Sequence, residues 1–422
     1  MAVGSAWLSP SAQWWWDWVN ADRAGAPGHG TVGEVFAAFL RLGLTSFGGP
    51  IAHLGYFRTE LVERRRWVDD REYADLVALC QFLPGPASSQ VGFALGLRRA
   101  GLWGALAAFI AFTLPSAVVM IAFAFGASLL EGPIAAGVID GLKIVAVAVV
   151  AHAVWGMART LTPDARRALI GGAALVIALV WAGGGGQLVA IAVGAVAGIV
   201  LCRSEGMQPE APASSRVIGR TGAFVALAGF VVLVAGAPIV AALTQNGTAA
   251  LVAAFSRAGA LVFGGGHVVL PLLDAEVVAP GWVSADAFLA GYGVAQAVPG
   301  PLFTFAGYLG AISDVGPGGV VGGVVALLAL FAPGFLLLLG VLPFWQSLRA
   351  RPLARAALAG ANAAVVGILA AALYTPVFTT AVTDDFSFAL AAVCFVLLTA
   401  VRMPPWAVVL IGACGGVLLA LV

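Results

Sequence analysis

Arg41-Leu-Gly-Leu-Thr-Ser-Phe47-Gly48-Gly49-Pro50 returns 216 positions later as Arg257-Ala-Gly-Ala-Leu-Val-Phe263-Gly264-Gly265-Gly266. A second helix-breaking cluster follows each copy, Gln81-Phe-Leu-Pro84-Gly85-Pro86 and Gln296-Ala-Val-Pro299-Gly300-Pro301, now 215 positions apart. The chain therefore reads as two similar halves, each with two interruptions inside apolar sequence. Interrupted helices in a duplicated membrane protein are the best pointer in a sequence to a transport site.

With 61% hydrophobic residues, 10% charged residues and a mean hydropathy of +1.01, the chain exceeds what a soluble fold covers with polar surface. Its partner is the lipid bilayer. Apolar runs of spanning length recur without the ten-residue alternation of an outer-membrane barrel, so helices make the crossings. A formal charge of +1 offers nothing to nucleic acid. Cys80, Cys202, Cys394 and Cys414 stand singly in or beside apolar segments, without metal-site spacing, and read as buried thiols. No metal or other cofactor is expected. Trp14-Trp15-Trp16-Asp17-Trp18 lacks the pattern of a signal peptide and suits the membrane interface.

The expected fold is an all-α polytopic membrane protein. Residues 1–30 form a tail, 31–203 a first repeat, 204–243 a polar linker with one connecting helix, and 244–422 a second repeat. In the first repeat the broken segments are Thr31–Tyr56 and Glu72–Leu97, followed by four spans. In the second they are Ala249–Leu273 and Ala287–Ala311, again followed by four spans. Thr113-Leu-Pro115-Ser also matches Phe331-Ala-Pro333-Gly, and Gly141-Leu-Lys143-Ile matches Gly360-Ala-Asn362-Ala.

Arginines crowd the loops at 58–71, 98–99, 159–167, 203–220, 349–355 and 402, whereas Glu131, Asp274, Glu276, Asp286, Asp314, Asp384 and Asp385 lie in loops free of Lys and Arg. If every broken segment crossed the bilayer, the positive-inside bias would be violated at 58–71. If each dips in and returns, all arginine loops fall on the cytoplasmic side. The expectation is four re-entrant hairpins and nine full crossings in the cytoplasmic (inner) membrane, with the N-terminus cytoplasmic and the C-terminus external. The connecting helix at Thr221–Leu243 then inverts the second repeat relative to the first. The weak point is two pairs of short spans, 168–201 and 386–422, whose helices barely reach across.

Phe-Gly-Gly-Pro and Pro-Gly-Pro clusters, in order in both halves of a chain with an inverted second half, resemble the two-domain members of the chromate ion transporter family. The resemblance covers nearly everything from Thr31 onward. It implies efflux of chromate from the cytoplasm, lowering the dose of a toxic oxyanion, with sulfate as the natural relative because both are tetrahedral dianions. The chain departs from the pattern at Gly266, where glycine replaces proline, so the second-half break relies on flexibility rather than on a missing N–H.

A dianion crossing a low-dielectric core needs donors in place of its water. Pro84 and Pro86 stop a helix near Leu83 and let it restart near Ala87, and a restarting helix offers free N–H groups and the positive end of its dipole. Ser88 and Ser89 occupy that first turn, and Thr304 the comparable place after Pro299-Gly300-Pro301. Phe47-Gly48-Gly49-Pro50 and Phe263-Gly264-Gly265-Gly266 are expected to present two further helix starts, at Ile51 and His267. The competing explanation for these glycines is close helix packing.

Arg41 and Arg257 lie six residues before the breaks; their guanidinium forks suit an oxyanion, and snorkelling to the interface is the alternative. Lys143 sits deep in its span with Asp140 at i−3, either as a structural ion pair or as an anion-binding lysine; its repeat partner is Asn362. Gln81 and Gln296 are matching polar contacts. His53, His267, Glu34 and Asp75 are candidate proton carriers.

Three other functions compete. A sulfate or related oxyanion importer keeps the fold and reverses the direction, and a passive anion channel needs no coupling ion. A membrane enzyme finds no support, because the chain has no haem-spaced histidines, no dinucleotide loop and no clustered cysteines. A homodimer is compatible with the sequence.

Overall fold

The computed structural model describes residues 30–127, 132–181, 183–202, 219–263, 266–349 and 351–421, and among these every regular element is helical. The tryptophan-rich tail, the linker 203–218 and the glycines Gly264 and Gly265 lie outside the described residues.

Helix α1 (Val32–Thr45) is capped by Thr31, whose hydroxyl accepts the Glu34 N–H at 3.1 Å. It ends at Ser46, turns at Gly48 with φ 99°, and restarts as α2 (Gly49–Phe57) with Pro50 in its first turn. The restart comes two residues before Ile51, because proline's fixed φ suits the first helical turn. A π-turn (Arg58–Arg64) leads to α3 (Asp70–Phe82), capped by Asp69. The chain breaks again through extended Leu83 and Gly85 (φ 126°), and re-enters a helix at Ala87, as expected. Ala100 and Gly101 are non-helical, so the run from Ala87 to Ala127 is two helices, α4 (87–99) and α5 (102–127).

Both broken segments of the first repeat begin and end at one face. Arg99 pairs with Glu34 at the start of α1 at 3.1 Å, and Trp67, beyond the return arm, donates to the same carboxylate at 3.1 Å. Its neighbour Arg98 pairs with Glu72 at the start of α3 at 2.5 Å. These are re-entrant hairpins rooted in an arginine-rich face.

The spanning helix α6 (Pro133–Leu161) follows, then the shorter apolar helices α7 (Ala165–Val180) and α8 (Gly184–Leu201) and the spanning, connecting helix α9 (Arg220–Thr244). The second repeat opens with α10 (Gly247–Leu261). Where the first repeat has a proline, Gly266–Val268 forms only a 3-10 turn before the short α11 (Val269–Leu273), so the expected helix start at His267 is delayed. Helix α12 (Ala285–Ala297) breaks over 298–301 and returns as α13 (Phe305–Ile312). Gly247 lies against Gly316, and the Asp314 N–H donates to the Trp282 carbonyl at 3.1 Å, so these hairpins also begin and end at one face.

Helix α5 shows that the two faces are opposite. It leaves the arginine-rich face at Leu102, stacks Phe112 edge-on against His53 in the interior, and sets Phe123 beside Tyr308 and Phe125 beside Gly319. Those 23 residues advance about 35 Å, enough to cross a bilayer. The repeat is therefore inverted.

The chain finishes with α14 (Gly319–Val341), α15 (Pro352–Ala372), α16 (Asp385–Thr399) and α17 (Pro405–Leu421). The halves are intertwined: α6 of the first packs against α16 and α17 of the second, and α15 of the second against α7 and α8 of the first. Glycines let these backbones touch, Gly141 against Gly412 and, at the equivalent seam, Gly360 against Gly194. At 16 and 15 residues, α7 and α16 are about 24 and 22 Å long, short of a ~30 Å hydrocarbon core.

Candidate functional site

The four breaks meet in the interior. Gly85 donates its N–H to the Val262 carbonyl at 2.7 Å, and its repeat partner Gly300 donates to the Ser46 carbonyl, which is Val262's repeat partner, at 2.9 Å. Each bond ties a tip of one half to a tip of the other. Gly266 lies against Pro50 across the same junction.

Around the first-repeat tips collect Ser46, His53, Ser88, Ser89, Gln90 and Thr113, all 3% exposed or less. His53 Nδ1 lies 3.3 Å from Ser88 Oγ. Gln90 Nε2 bridges the halves, donating to the Pro84 carbonyl at 3.1 Å and the Gly334 carbonyl at 2.9 Å. Five polar atoms here have no hydrogen-bond partner among the described residues: Ser46 Oγ, His53 Nε2, Ser89 Oγ, Gln90 Oε1 and Thr113 Oγ1. Buried polar groups are almost always paired, so these five atoms, from the end of α1, α2, α4 and α5, have hydrogen-bonding capacity open to water or to a polar guest. Gln90 N–H takes the Pro86 carbonyl at 2.9 Å, and the N–H groups of residues 87–89 precede the helical ladder. The locus has dipoles and hydroxyls but no fixed charge.

Residues 33–199 match a family model described as "Chromate transporter", and residues 249–417 match it again. The chain belongs to the chromate transporter family. It is 29% identical to the chromate transport protein of Pseudomonas aeruginosa over 80% of this chain and 79% of that one, and 30% identical to a probable chromate transport protein of Synechococcus elongatus over 79% and 82%. The chromate transport protein of Cupriavidus metallidurans is 27% identical over 81% and 82%. No solved structure matches the chain.

In this family member the sequence candidates separate into three places. At the breaks stand Phe47, Gly48, Gly49, Pro50, Pro84, Gly85, Pro86, Ser88, Ser89 and His53. From the second repeat come Phe263, Gly266, Pro299, Gly300, Pro301 and Thr304, whose hydroxyl is spent on the Pro301 carbonyl at 2.8 Å. Gln296 Nε2 and Asn362 Oδ1 are buried and unpartnered among the described residues, whereas Gln81 is exposed and its role as a tip contact passes to Gln90. His267 meets the Tyr292 hydroxyl at 2.8 Å.

The arginines occupy a second place and differ between halves. Arg257 Nη1 contacts both oxygens of Glu276 on the return arm of its hairpin, at 2.9 and 3.1 Å. The repeat equivalents are Arg41 and Glu60, yet Glu60 is held by Arg64 and Arg65 at 3.1 and 2.7 Å, and Arg41 is exposed with no carboxylate partner among the described residues. Ala37, Arg41 and Thr45 form an exposed stripe of α1 that leads from the arginine-rich face to the exposed Gly48 at the first break.

The third place is away from the breaks. Lys143 is held by Asp140 at 2.6 Å and by Asp286, at the foot of α12, at 2.8 Å. Twelve residues of helix, about 18 Å, separate Asp286 from the tip at Val298. Glu34 is committed to Arg99 and Trp67 at a hairpin foot, and Asp75 is on the first turns of α3. Ser46, Gln90, Thr113 and Glu276 escaped sequence reasoning. Gln90 carried a signal, an amide one turn after Pro86 in an apolar helix.

Proposed function

We propose that this chain is a secondary transporter that moves chromate, with sulfate as its chemical relative, from the cytoplasm to the exterior through the junction of the four breaks. The observation that carries this reading is the orphaned cluster at the start of α4. A tetrahedral dianion accepts hydrogen bonds in several directions, and hydroxyls, an amide and helix N–H groups supply them without a charge that would hold the ion too tightly. Ser88 and Ser89, with Ser46, Gln90 and Thr113, are its ligands; His53 sits beside Ser88 as the candidate proton carrier.

The arginine-rich face is cytoplasmic in this reading, by the positive-inside bias. The open stripe of α1 supports access from that side, with Arg41 as the first cation the anion meets. On the other side Arg257 is neutralised by Glu276, which supports a closed exit. Exchange of these two arrangements between the repeats moves the site from one face to the other.

The test is uptake of labelled chromate into inverted vesicles, with the membrane potential and the proton gradient collapsed separately. Uptake that stops with one of them names the driving force. Uphill accumulation that survives the loss of both would sink secondary transport by either force, and sulfate that fails to compete would remove the dianion analogy.

A further inference from the structure

A cluster of arginines lies away from the breaks. On the arginine-rich face, where α7 begins, α8 ends and α15 starts, a cavity of about 660 Å³ is lined by Asp164, Arg166, Arg167, Leu201, Cys202 and Arg355. That volume is in the ~300–1,000 Å³ range of small-molecule sites. Asp164 caps α7 and pairs with Arg167 at 2.6 Å, so the one lining carboxylate among the described residues is already used. Arg166 donates to the terminal carbonyl of α8, at Leu201, at 3.0 Å. Arg355 Nε is buried and has no hydrogen-bond partner among the described residues. Among the described lining residues three guanidiniums thus face one carboxylate, with a buried donor unspent.

The surroundings are apolar and outward-facing: Leu169, Val200 and Leu353 are 71%, 66% and 55% exposed. Such side chains at the level of a helix start belong to the boundary between headgroups and acyl chains. The inverted repeat provides an internal control. The capping aspartate recurs as Asp384, because α16 needs the cap that α7 needs. The three arginines do not recur: Phe386, Ser387 and Ala136 stand at the equivalent positions. The fold requires the cap, whereas the arginines appear on one face only.

We infer that this cavity binds the phosphate of an anionic phospholipid headgroup, in the leaflet on the arginine-rich face. Guanidinium forks match phosphate oxygens, and basic pockets between membrane helices on the cytoplasmic side are where such headgroups dock. The cavity spans the seam between α7 and α8 of the first repeat and α15 of the second, so the bound headgroup ties the intertwined halves together.

The experiment is native mass spectrometry of the full chain, released from mixed phosphatidylglycerol and phosphatidylcholine micelles. The expected result is one retained phosphatidylglycerol per chain in preference to phosphatidylcholine. Arg166→Gln combined with Arg355→Gln lowers that retention about tenfold, the size of one charge-assisted bond. Arg355→Lys restores part of it, and Arg58→Gln, on the same face but outside the cavity, leaves it unchanged; a matching gel-filtration profile shows that each variant is folded. Equal retention by the double variant would overturn the site. Competition by inorganic phosphate without any lipid preference would overturn the lipid as its source.

Discussion

The Gly300 N–H donates to the Ser46 carbonyl at 2.9 Å, joining the fourth broken segment to the first across the internal repeat. Both residues are at points where the chain has left a helix, so each would otherwise carry an unpaired backbone group in the interior, where such groups are costly. Gly85 and Val262 make the equivalent bond. The hairpins from opposite faces are thus latched tip to tip, and the candidate anion cluster is built on that latch.

Gly300→Ala tests the latch. Gly300 has φ 101°, and an added Cβ would come 2.8 Å from Ser116 Oγ. A side chain in the left-handed region costs about 1–2 kcal/mol before any clash. The expected outcome is a lower melting temperature in detergent together with loss of transport. Gly85→Ala should behave alike, since its Cβ would meet Gln90 Nε2 at 2.8 Å. A variant with wild-type stability and flux would show that the latch is dispensable.

Ser89→Ala and Thr113→Ala separate binding from folding. Both remove oxygens that have no partner among the described residues, so stability should change by less than about 1 kcal/mol. Each should weaken anion binding by roughly 10- to 150-fold, the range of a hydrogen bond to a charged group at about 1.5–3 kcal/mol. Chromate or sulfate titration of the purified protein measures the loss. Unchanged affinity in both variants would move the site elsewhere.

Much of this was readable in the sequence because breaks announce themselves chemically. Pro84 and Pro86 fix where a helix stops and restarts, and arginine placement alone folds the four broken segments into hairpins. What escaped was long-range. Nothing near Gly141 or Gly360 says which distant helix their bare backbones touch, so the exchange of α7 and α8 against α15 was invisible. Lys143 shows the same limit, because Asp140 is one turn away while Asp286 is 143 residues further on. Ser46 and Thr113 are single hydroxyls in apolar runs, and only their burial without partners distinguishes them.

Arg41 and Arg257 should respond differently to removal. Arg257→Ala strands Glu276, whose side chain is only 11% exposed, and leaving a mostly buried charge unpaired costs about 3–5 kcal/mol. Arg41→Ala removes an exposed side chain, so stability should barely move while the apparent affinity for anion entering from the arginine-rich face falls. Thermal unfolding and vesicle flux, measured on both variants, read the two effects. Equal destabilisation would show that the halves do not differ in the way their ion pairs indicate.

Lys143 joins α6 to the foot of α12 through Asp286, and a purely structural pair has a distinct signature. Lys143→Gln and Asp286→Asn should then produce the same partial loss of maximal flux, with the half-saturating anion concentration unchanged. If Lys143→Gln alone raises that concentration, the ammonium contacts the anion and the ion pair is a resting state.

The inverted arrangement predicts which residues meet water on each side. Arg64, in the π-turn after α2, has a side chain 60% exposed at the arginine-rich face; Ala279, just after the equivalent turn of the second repeat, is exposed at the opposite one. Ala275 occupies that turn too but is half-buried, which makes Ala279 the better reporter. Single cysteines at the two positions, in a chain whose four native cysteines are replaced, should react with a membrane-impermeant maleimide from opposite sides: position 279 in intact cells, position 64 only in inverted vesicles. Each hairpin returns to its own face, so both ends of a broken segment should share one accessibility. Labelling of position 64 in intact cells would turn the orientation over; labelling of both positions from one side would mean that a hairpin crosses the bilayer after all.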